Sequence, residues 1–478
     1  MNFLNDKILI NQIDNVAISG LTTQLISFCV NNIYKRNNKN ILIVTNSLYE
    51  ANIYYSSISK LNNNVYLFPM DDFLTSESLA ISPELKSIRV NTLNELSEND
   101  HNIVITNLMG FLRYLPSKKL WMDSKIILKK DTEERCREKL GKLLGIQAHD
   151  RIFFTSGATE SLNTVLCGLD YGEEGCGILA TQTEHNSVLR PLMNQPVLKK
   201  HPVTIISCLE NGAVTRNALE KGLKEAMENT GKNPSALIVN HCSNVTGYVQ
   251  DMKLIGNFVR ENNLLLLVDV SQSAGCIPVD ADSWRADGVI FTGHKSLLGI
   301  QGTGGFFIRK GLELKPLKYG GTGRNSQQLT YEDGDYEYEV GTQNLPGIRA
   351  LLAGVEFVLE NGVDRIKKKE ERMMKLLYEG LGKIPGVQVY GSFAECKGPV
   401  MSLNFQGLKA SDAAYILENG YEITVRAGFH CSPLIHEAMG TKNSGTVRVS
   451  VSWFTKEEEI LAFLEAAGQI AVSLRGAD

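Results

Sequence analysis

Short apolar runs, followed by polar residues or glycine, alternate with amphipathic stretches along most of this chain. Residues 177–180, 264–269 and 287–291 are predicted strands, and polar side chains or glycine lie just beyond each of them. Strands that are apolar on both faces are typical of parallel sheets, whose carboxyl ends carry the ligand-binding residues. The pattern therefore predicts an α/β fold with its chemistry at one edge of a parallel sheet.

The chain ends with a different mixture of elements. Helical periodicity at residues 353–360 and 367–381 precedes short strand-like runs at 387–390 and 401–405, and a last helix is predicted from Lys456. This order of elements predicts a smaller α+β domain after the large one.

The first part of the chain is also predicted to be globular. Residues 40–45, 65–68 and 102–106 are predicted buried strands, and residues 47–60 a connecting helix, so an open α/β sheet is expected. Its composition differs from the rest, since 19 of the 37 asparagines fall at or before Asn107. This shift in composition suggests two separately derived segments.

Composition excludes several classes of protein. A net charge of -4 over 478 residues gives no basic surface for nucleic acid. No apolar run approaches the ~20 residues that span a bilayer, and the polar start is not a signal peptide. Nine cysteines without a C-x-x-C pair favour reduced thiols in a cytoplasm and argue against a zinc site.

Lys295 lies in a polar, glycine-flanked turn that follows a predicted strand. A lysine in such a turn can form a Schiff base when desolvation or a neighbouring cation lowers the pKa of its amine. Asp269 ends another predicted strand, where a carboxylate suits the ring nitrogen of pyridoxal phosphate. A solvated surface lysine and a helix-capping aspartate are the alternatives.

Two more predicted strand ends carry candidate chemistry. A Gly-containing turn leads into a helix that is predicted to begin near Thr159, and a helix start can cradle a phosphate. Glu160 in the first turn means that ordinary capping explains part of this pattern. His185 follows another strand and could stack on a planar ring, although a lone histidine is more often an ordinary polar residue.

Taken in this order, these residues resemble the class V aminotransferase family of pyridoxal phosphate enzymes, which have fold type I. The resemblance extends from about Lys130 to the C-terminus. It implies that Lys295 holds pyridoxal 5'-phosphate covalently, and that a homodimer shares its active sites. The other cofactor-binding residues implied are Asp269 at the pyridine nitrogen, Gln272 at the ring hydroxyl, His185 over the ring, Asn244 near cofactor and substrate, Ala158, Thr159, Thr292 and His294 at the phosphate, and Thr342 at the phosphate of the second subunit.

Cys431 stands in a turn flanked by Arg426, Gly428 and His430, so it is expected to be exposed in an electropositive setting. Such a setting favours the nucleophilic thiolate, whereas a buried, inert thiol is the better prediction for most of the other cysteines. The segment resembles the nucleophile loop of cysteine desulfurases in the subgroup where His precedes Cys.

That resemblance implies the conversion of L-cysteine to L-alanine with a persulfide on Cys431. The sulfur would pass to a sulfur-acceptor protein for iron-sulfur cluster or thio-cofactor assembly. Lys295 would move the substrate's α proton, and Arg448 would bind the substrate's carboxylate. A selenocysteine lyase, an aminotransferase and a non-catalytic chimera remain alternatives, because a thiol argues against transamination but does not separate cysteine from selenocysteine.

Residues 1–128 resemble the N-terminal domain of the bacterial transcription-repair coupling factor, a helicase-like module, through the run Leu67-Phe-Pro-Met-Asp-Asp-Phe73 and residues 81–93. Residues 18–24 lack the G-x-x-x-x-G-K-[ST] pattern, so no nucleotide site is predicted. This segment stands where desulfurases have their opening strand and loop, so catalytic turnover by the desulfurase-like part is in question. A true gene fusion and a joining of two genes during sequence assembly are the two alternatives for its origin. The predicted domains are 1–128, a PLP-binding large domain at 129–350, and a small domain at 351–478.

Overall fold

The computed structural model of this chain describes residues 19–37, 39–71, 83–113, 115–123, 132–321, 329 and 338–475. The chain divides into two compact units, Met1–Lys125 and Ile126–Asp478. Each unit has its own sheet and its own buried core.

The first unit contains a three-stranded parallel sheet with the order β1-β3-β2. Ser47 caps the helix that follows β1 by accepting the N–H of Glu50 at 3.2 Å, and the Glu50 carboxylate accepts the N–H of Asn46. The three strands and the helix predicted for this region are confirmed. Its elements are α1 (Thr23–Arg36), β1 (Ile41–Thr45), α2 (Leu48–Ile58), β2 (Val65–Phe68), α3 (Pro83–Glu98), β3 (Ile103–Asn107), α4 (Leu108–Phe111) and α5 (Lys118–Asp123).

The second unit is built on a seven-stranded sheet with the order β4-β10-β9-β8-β7-β5-β6. Strand β10 is antiparallel to both of its neighbours, and the other pairs are parallel. The predicted parallel sheet is therefore confirmed. The strands are β4 (Ile152–Thr155), β5 (Ile178–Thr181), β6 (Val203–Ile206), β7 (Ala236–Asn240), β8 (Leu265–Asp269), β9 (Gly288–Thr292) and β10 (Gly304–Ile308).

Helices cover both faces of this sheet, which explains why its central strands are apolar throughout. Leu237 and Val239 of β7 join the core on one face, whereas Ala236 and Ile238 join the core on the other. This alternation follows from the two-residue period of a strand. The helices are α6 (Thr132–Leu144), α7 (Ala158–Gly168), α8 (Asn186–Asn194), α9 (Arg216–Thr230), α10 (Met252–Glu261) and α11 (Ala281–Trp284), with a 3-10 turn at His149–Arg151.

The C-terminal part carries a four-stranded antiparallel sheet with the order β11-β12-β14-β13. The predicted boundary at residue 350 falls inside α12, whose buried side chains pack into the core of the large sheet. The three-domain division therefore stays a prediction. The elements are α12 (Leu345–Asn361), α13 (Val363–Leu381), β11 (Val387–Tyr390), β12 (Val400–Phe405), α14 (Ala410–Tyr421), β13 (Arg426–Gly428), α15 (Ile435–Ala438), β14 (Thr446–Ser450) and α16 (Glu457–Arg475).

A close backbone approach joins the two sheets of the second unit. Gly247 follows β7 with φ of 72°, and a Cβ at this position would lie 2.2 Å from the carbonyl oxygen of Val400. The N–H of Gly398 donates to the Gly247 carbonyl at 2.7 Å. Only glycine combines this backbone conformation with this approach, so Gly247 fixes the small sheet beside the loop that carries Asn244.

Within the described ranges, no helix has both the length and the apolar character that a membrane span requires. The same residues contain no group of three or more His, Cys, Asp or Glu side chains arranged to hold a metal ion.

Candidate active site

Most of the predicted site residues meet at the carboxyl edge of the large sheet. They line a cavity of about 370 Å³ that extends to the small sheet. The predicted residues in its wall are Ala158, Thr159, His185, Asn244, Asp269, Gln272, Thr292, His294, Lys295 and Arg448. Residues that the sequence did not single out also line it, namely Ser156, Gly157, Ser187, Asn240 and Ser271, together with Glu160, Arg426 and His430, which had been noted only as neighbours of other candidates.

Lys295 follows β9 and opens onto this cavity. Its Nζ donates to Gln272 Oε1 at 3.4 Å. Burial within the surrounding protein lowers the pKa of the Lys295 amine, the Asp269 carboxylate opposes that shift, and Arg448 adds to it. A lowered pKa increases the fraction of neutral amine, which is the form that can act as a nucleophile or base.

Asp269 ends β8 and is 5% exposed. Its Oδ1 accepts the N–H of Ser271 at 2.8 Å, which fixes the carboxylate at the cavity floor. The helix-capping alternative is wrong for this residue, because Asp280 caps the next helix, α11, by accepting the N–H of Ser283. The negative charge of Asp269 instead acts on Lys295 and His185, where it opposes the lowering of the pKa that burial causes in both groups.

His185 is both a helix cap and a wall of the cavity. Its Nδ1 accepts the N–H of Ser187 at 3.0 Å at the start of α8. This bond leaves the proton of the neutral ring on Nε2 and fixes the plane of the imidazole. Burial lowers the pKa of His185, so the ring is held in its neutral form.

The start of α7 provides a set of donors for an anion. The helix begins at Ala158 after Gly157, and no side chain caps it. Glu160 instead accepts the N–H of Ser156 at 3.0 Å and contacts Lys318, so the N–H groups of the first turn remain at the cavity. Ordinary capping by Glu160 is therefore only a partial account of this turn.

The donor set fits pyridoxal phosphate. Thr292 Oγ1 and His294 Nδ1 lie 3.0 Å apart in the wall of the cavity and add to the donors of α7. Ser271 Oγ and Arg448 Nε are buried and have no protein partner within the described part of the chain. A ligand with a phosphate, a flat ring and an attached carboxylate would satisfy donors of all these kinds.

Arg448 and Asn244 connect the large sheet to the Cys431 loop. Arg448 Nη1 donates to the Asn244 carbonyl at 3.0 Å. The Asn244 side chain donates to the His430 carbonyl at 2.7 Å and accepts the hydroxyl of Ser432 at 2.7 Å. Both polar atoms of the Asn244 side chain therefore hold the residues on either side of Cys431.

The Cys431 loop has an unusual backbone. His430 and Cys431 have φ of 51° and 60°, a region that non-glycine residues enter at a cost. The Cys431 carbonyl accepts the N–H of Asn186 at 2.6 Å, which helps to hold this conformation. Burial, with a smaller contribution from Arg448, lowers the pKa of His430 to about 3.

Cys431 is exposed and lines an outer groove of about 460 Å³ rather than the Lys295 cavity. The groove and the cavity share Thr159, His185 and Ser187 in their walls. The Lys295 amine and the Cys431 thiol therefore lie on the two sides of the wall that these residues form. Cys431 also acts on Arg448: burial and Arg426 lower the pKa of Arg448, and the Cys431 sulfur opposes that shift.

Thr342 does not line the Lys295 cavity within a single chain. It lies in a neighbouring hollow of about 290 Å³ with Ser156, Glu160 and Lys318. Its predicted contact with the cofactor phosphate of a second subunit stays a prediction.

Comparison with known proteins identifies the family of this fold. Residues 127–463 match the model of the family "Aminotransferase class-V". The chain belongs to this family. A probable cysteine desulfurase of Methanothermobacter thermautotrophicus is 31% identical over 346 residues, covering 71% of this chain and 83% of the relative. A probable cysteine desulfurase of Pyrococcus abyssi is 31% identical over 333 residues, covering 68% and 80%.

A solved structure agrees with the class V assignment. The apo structure of a cysteine desulfurase from Thermococcus onnurineus matches with a TM-score of 0.63 and 26% sequence identity, covering 87% of this chain and 96% of that one. The fold type I architecture that was predicted from the resemblance is therefore confirmed for the second unit.

Proposed function

We propose that this chain is a pyridoxal-phosphate-dependent cysteine desulfurase that converts L-cysteine to L-alanine and leaves the sulfur as a persulfide on Cys431. The observation that carries the proposal is the placement of Lys295 and Cys431 on either side of a shared wall. The relatives that match most of the class V part are themselves described as cysteine desulfurases, which supports the same reaction.

The cavity residues have distinct roles in this proposal. Lys295 attaches the cofactor, Asp269 pairs with its ring nitrogen, Gln272 contacts its ring hydroxyl, and the fixed His185 ring covers one face. When bound, pyridoxal phosphate supplies an electron sink for the substrate's α carbon. The phosphate contacts come from Ala158, Thr159, Thr292 and His294, with Thr342 of a second subunit as the predicted addition in a homodimer.

Lys295 and Cys431 carry out the bond changes at the substrate. With its lowered pKa, the Lys295 amine can accept the α proton of cysteine and later return a proton to complete alanine. The Cys431 sulfur forms the S–S bond while the substrate's Cβ–S bond breaks; the bonding pair stays with the carbon, and Cβ takes up one proton, matching the one that the Cys431 thiol gives up. Asn244 holds the loop on both sides of this sulfur, so it is proposed to set the reach of the nucleophile.

The first direct test measures products. Purified chain with L-cysteine and a reductant is expected to release alanine and sulfide in equal amounts, since each turnover yields one of each. The keto acid of cysteine, 3-mercaptopyruvate, formed in place of alanine and sulfide would favour the aminotransferase alternative. Much faster alanine release from selenocysteine than from cysteine would favour a selenocysteine lyase.

Arg448 is the proposed partner of the substrate carboxylate. Arg448→Ala is expected to raise the KM for cysteine roughly tenfold to a hundredfold, because a charge-assisted hydrogen-bond pair is lost. Arg448→Lys keeps the charge but not the fork of donors, so it should recover only part of the loss. The measurement is steady-state kinetics of alanine release.

Arg426→Ala is the comparison variant for Arg448→Ala. Arg426 also lines the cavity and pairs with Arg448 in the register of β13 and β14. A larger rise in KM for Arg426→Ala than for Arg448→Ala would reassign the carboxylate-binding role.

For the first unit, we propose a non-catalytic contact domain related to the N-terminal domain of the transcription-repair coupling factor. Its small parallel α/β sheet and the lack of a phosphate-loop pattern in the sequence support this proposal. Three further points remain predictions: that the two units form a true fusion, that a sulfur-acceptor protein receives the persulfide sulfur, and that the protein is cytoplasmic.

A further inference from the structure

Glu184 is a fully buried carboxyl next to His185 in the chain, and it is bonded to Asn240 of the cavity wall. Glu184 itself does not line the cavity. Its Oε1 accepts the backbone N–H of Asn240 at 2.8 Å and the hydroxyl of Thr181 at 2.5 Å. These bonds join the carboxyl ends of β5 and β7.

The two residues joined by the Asn240 N–H bond each have a buried oxygen without a donor within the described ranges. These oxygens are Glu184 Oε2 and the side-chain Oδ1 of Asn240. Both are acceptors if Glu184 is ionised, and leaving buried acceptors without a donor is costly. A proton on Glu184 converts one of them into a donor, and Asn240, already bonded through its N–H, offers the acceptor.

The negative charge of Asp269 also favours a protonated Glu184. Asn240 pairs with Asp269 in the register of β7 and β8, so a second carboxylate lies at the adjacent strand end. Two ionised carboxylates this close in a buried setting repel each other. Burial first and then the Asp269 charge raise the pKa of Glu184 to about 8, against the opposing hydrogen bonds from Thr181 and Asn240.

We propose that Glu184 is a positioning residue that carries a proton at neutral pH and donates it in a hydrogen bond to the Asn240 side chain. The anion at the cavity floor is then Asp269 alone. Asp269 already opposes the lowering of the Lys295 pKa, and a second anion nearby would oppose it more, which would leave less of the amine in its neutral, reactive form. The inference rests on the proposed function only for this effect on Lys295.

Infrared difference spectroscopy of the full-length, cofactor-loaded chain tests the proton directly. Glu184→Gln keeps the shape of the side chain and a hydrogen-bond donor but has no carboxyl group. The wild-type-minus-variant spectrum at neutral pH is expected to contain one protonated-carboxyl band, which disappears as the pH rises through about 8. Glu370 is a second buried acid with a raised pKa, and its band cancels in the difference.

Glu160→Gln is the matched control. The hydrogen bonds to Lys318 and Ser156 lower the pKa of Glu160, so its removal should delete no protonated-carboxyl band. Glu184→Ala, which has no donor, is expected to form alanine about tenfold more slowly than Glu184→Gln, since it leaves the buried Asn240 oxygen unpaired.

Absence of the band in the Glu184→Gln difference would overturn the inference. Glu184 would then be ionised, with the Asn240 amide rotated to donate its Nδ2–H to Oε2. If the glutamine variant does not fold, Asn240→Leu provides the second test, because loss of the acceptor should move the Glu184 band to higher frequency. A Glu184 band that does not move in Asn240→Leu would also refute the hydrogen bond between Glu184 and Asn240. Neither spectrum depends on whether the wild-type protein releases alanine.

Discussion

Replacement of Lys295 by alanine is expected to lower alanine formation from cysteine by about a thousandfold to ten-thousandfold. Lys295 is proposed to act twice, as the attachment point of the cofactor and as the group that moves the α proton, and loss of general acid–base catalysis alone has roughly a hundredfold to ten-thousandfold effect. The measurement is single-turnover alanine release together with the visible absorption of the bound cofactor, whose band should shift in the variant.

Lys310→Ala is a suitable control for Lys295, because Lys310 is exposed just after β10 and lies outside the cavity. It should leave both alanine release and the absorption unchanged. Near-normal alanine release by Lys295→Ala would reject the role of this lysine and, with it, the proposed reaction.

Cys431→Ser is expected to abolish sulfide release, with a loss of about a thousandfold or more, as is found when an enzyme's nucleophile is removed. The cofactor should stay bound, because Cys431 lines the outer groove and not the Lys295 cavity. Sulfide and alanine assays on the variant, together with its cofactor absorption, check both halves of this expectation.

Cys176→Ser serves as the control for the thiol. Cys176 is a partly exposed cysteine in the loop before β5, away from the cavity and the groove. Its replacement should leave sulfide release intact. Undiminished sulfide release by Cys431→Ser would remove the thiol from the mechanism and reopen the other class V reactions.

The sequence predicted the sheet and its reactive edge well, because buried parallel strands have a local signature. The run that ends in Asp269 and the turn that holds Lys295 are both visible as apolar stretches with a polar end. Helix boundaries were less accurate: the stretch predicted at 353–360 belongs to α12, which begins at Leu345. Its buried side chains join the core of the large sheet and pack mainly on α6, and these long-range contacts have no local pattern.

The parts of the site that depend on distant contacts were missed. Asn244 was expected near cofactor and substrate, but its amide also holds a loop 186 residues further along the chain. Glu184 was not singled out from the sequence, and its proposed role depends on Asn240 and Asp269, which the sheet brings beside it. The sequence showed that each of these polar residues lies near the end of a predicted strand. Which of them lie next to each other depends on the order of the strands in the sheet, which the sequence does not give.

Of the nine cysteines, all within the described part of the chain, Cys431 alone is exposed, and the others are buried or partly buried. An oxidant or alkylating agent in solution therefore reaches the proposed nucleophile before thiols such as Cys136, Cys242 or Cys276, which lie inside the core. The protein would lose its chemistry while its fold remained intact, so inactivation of this kind would not be detected as unfolding.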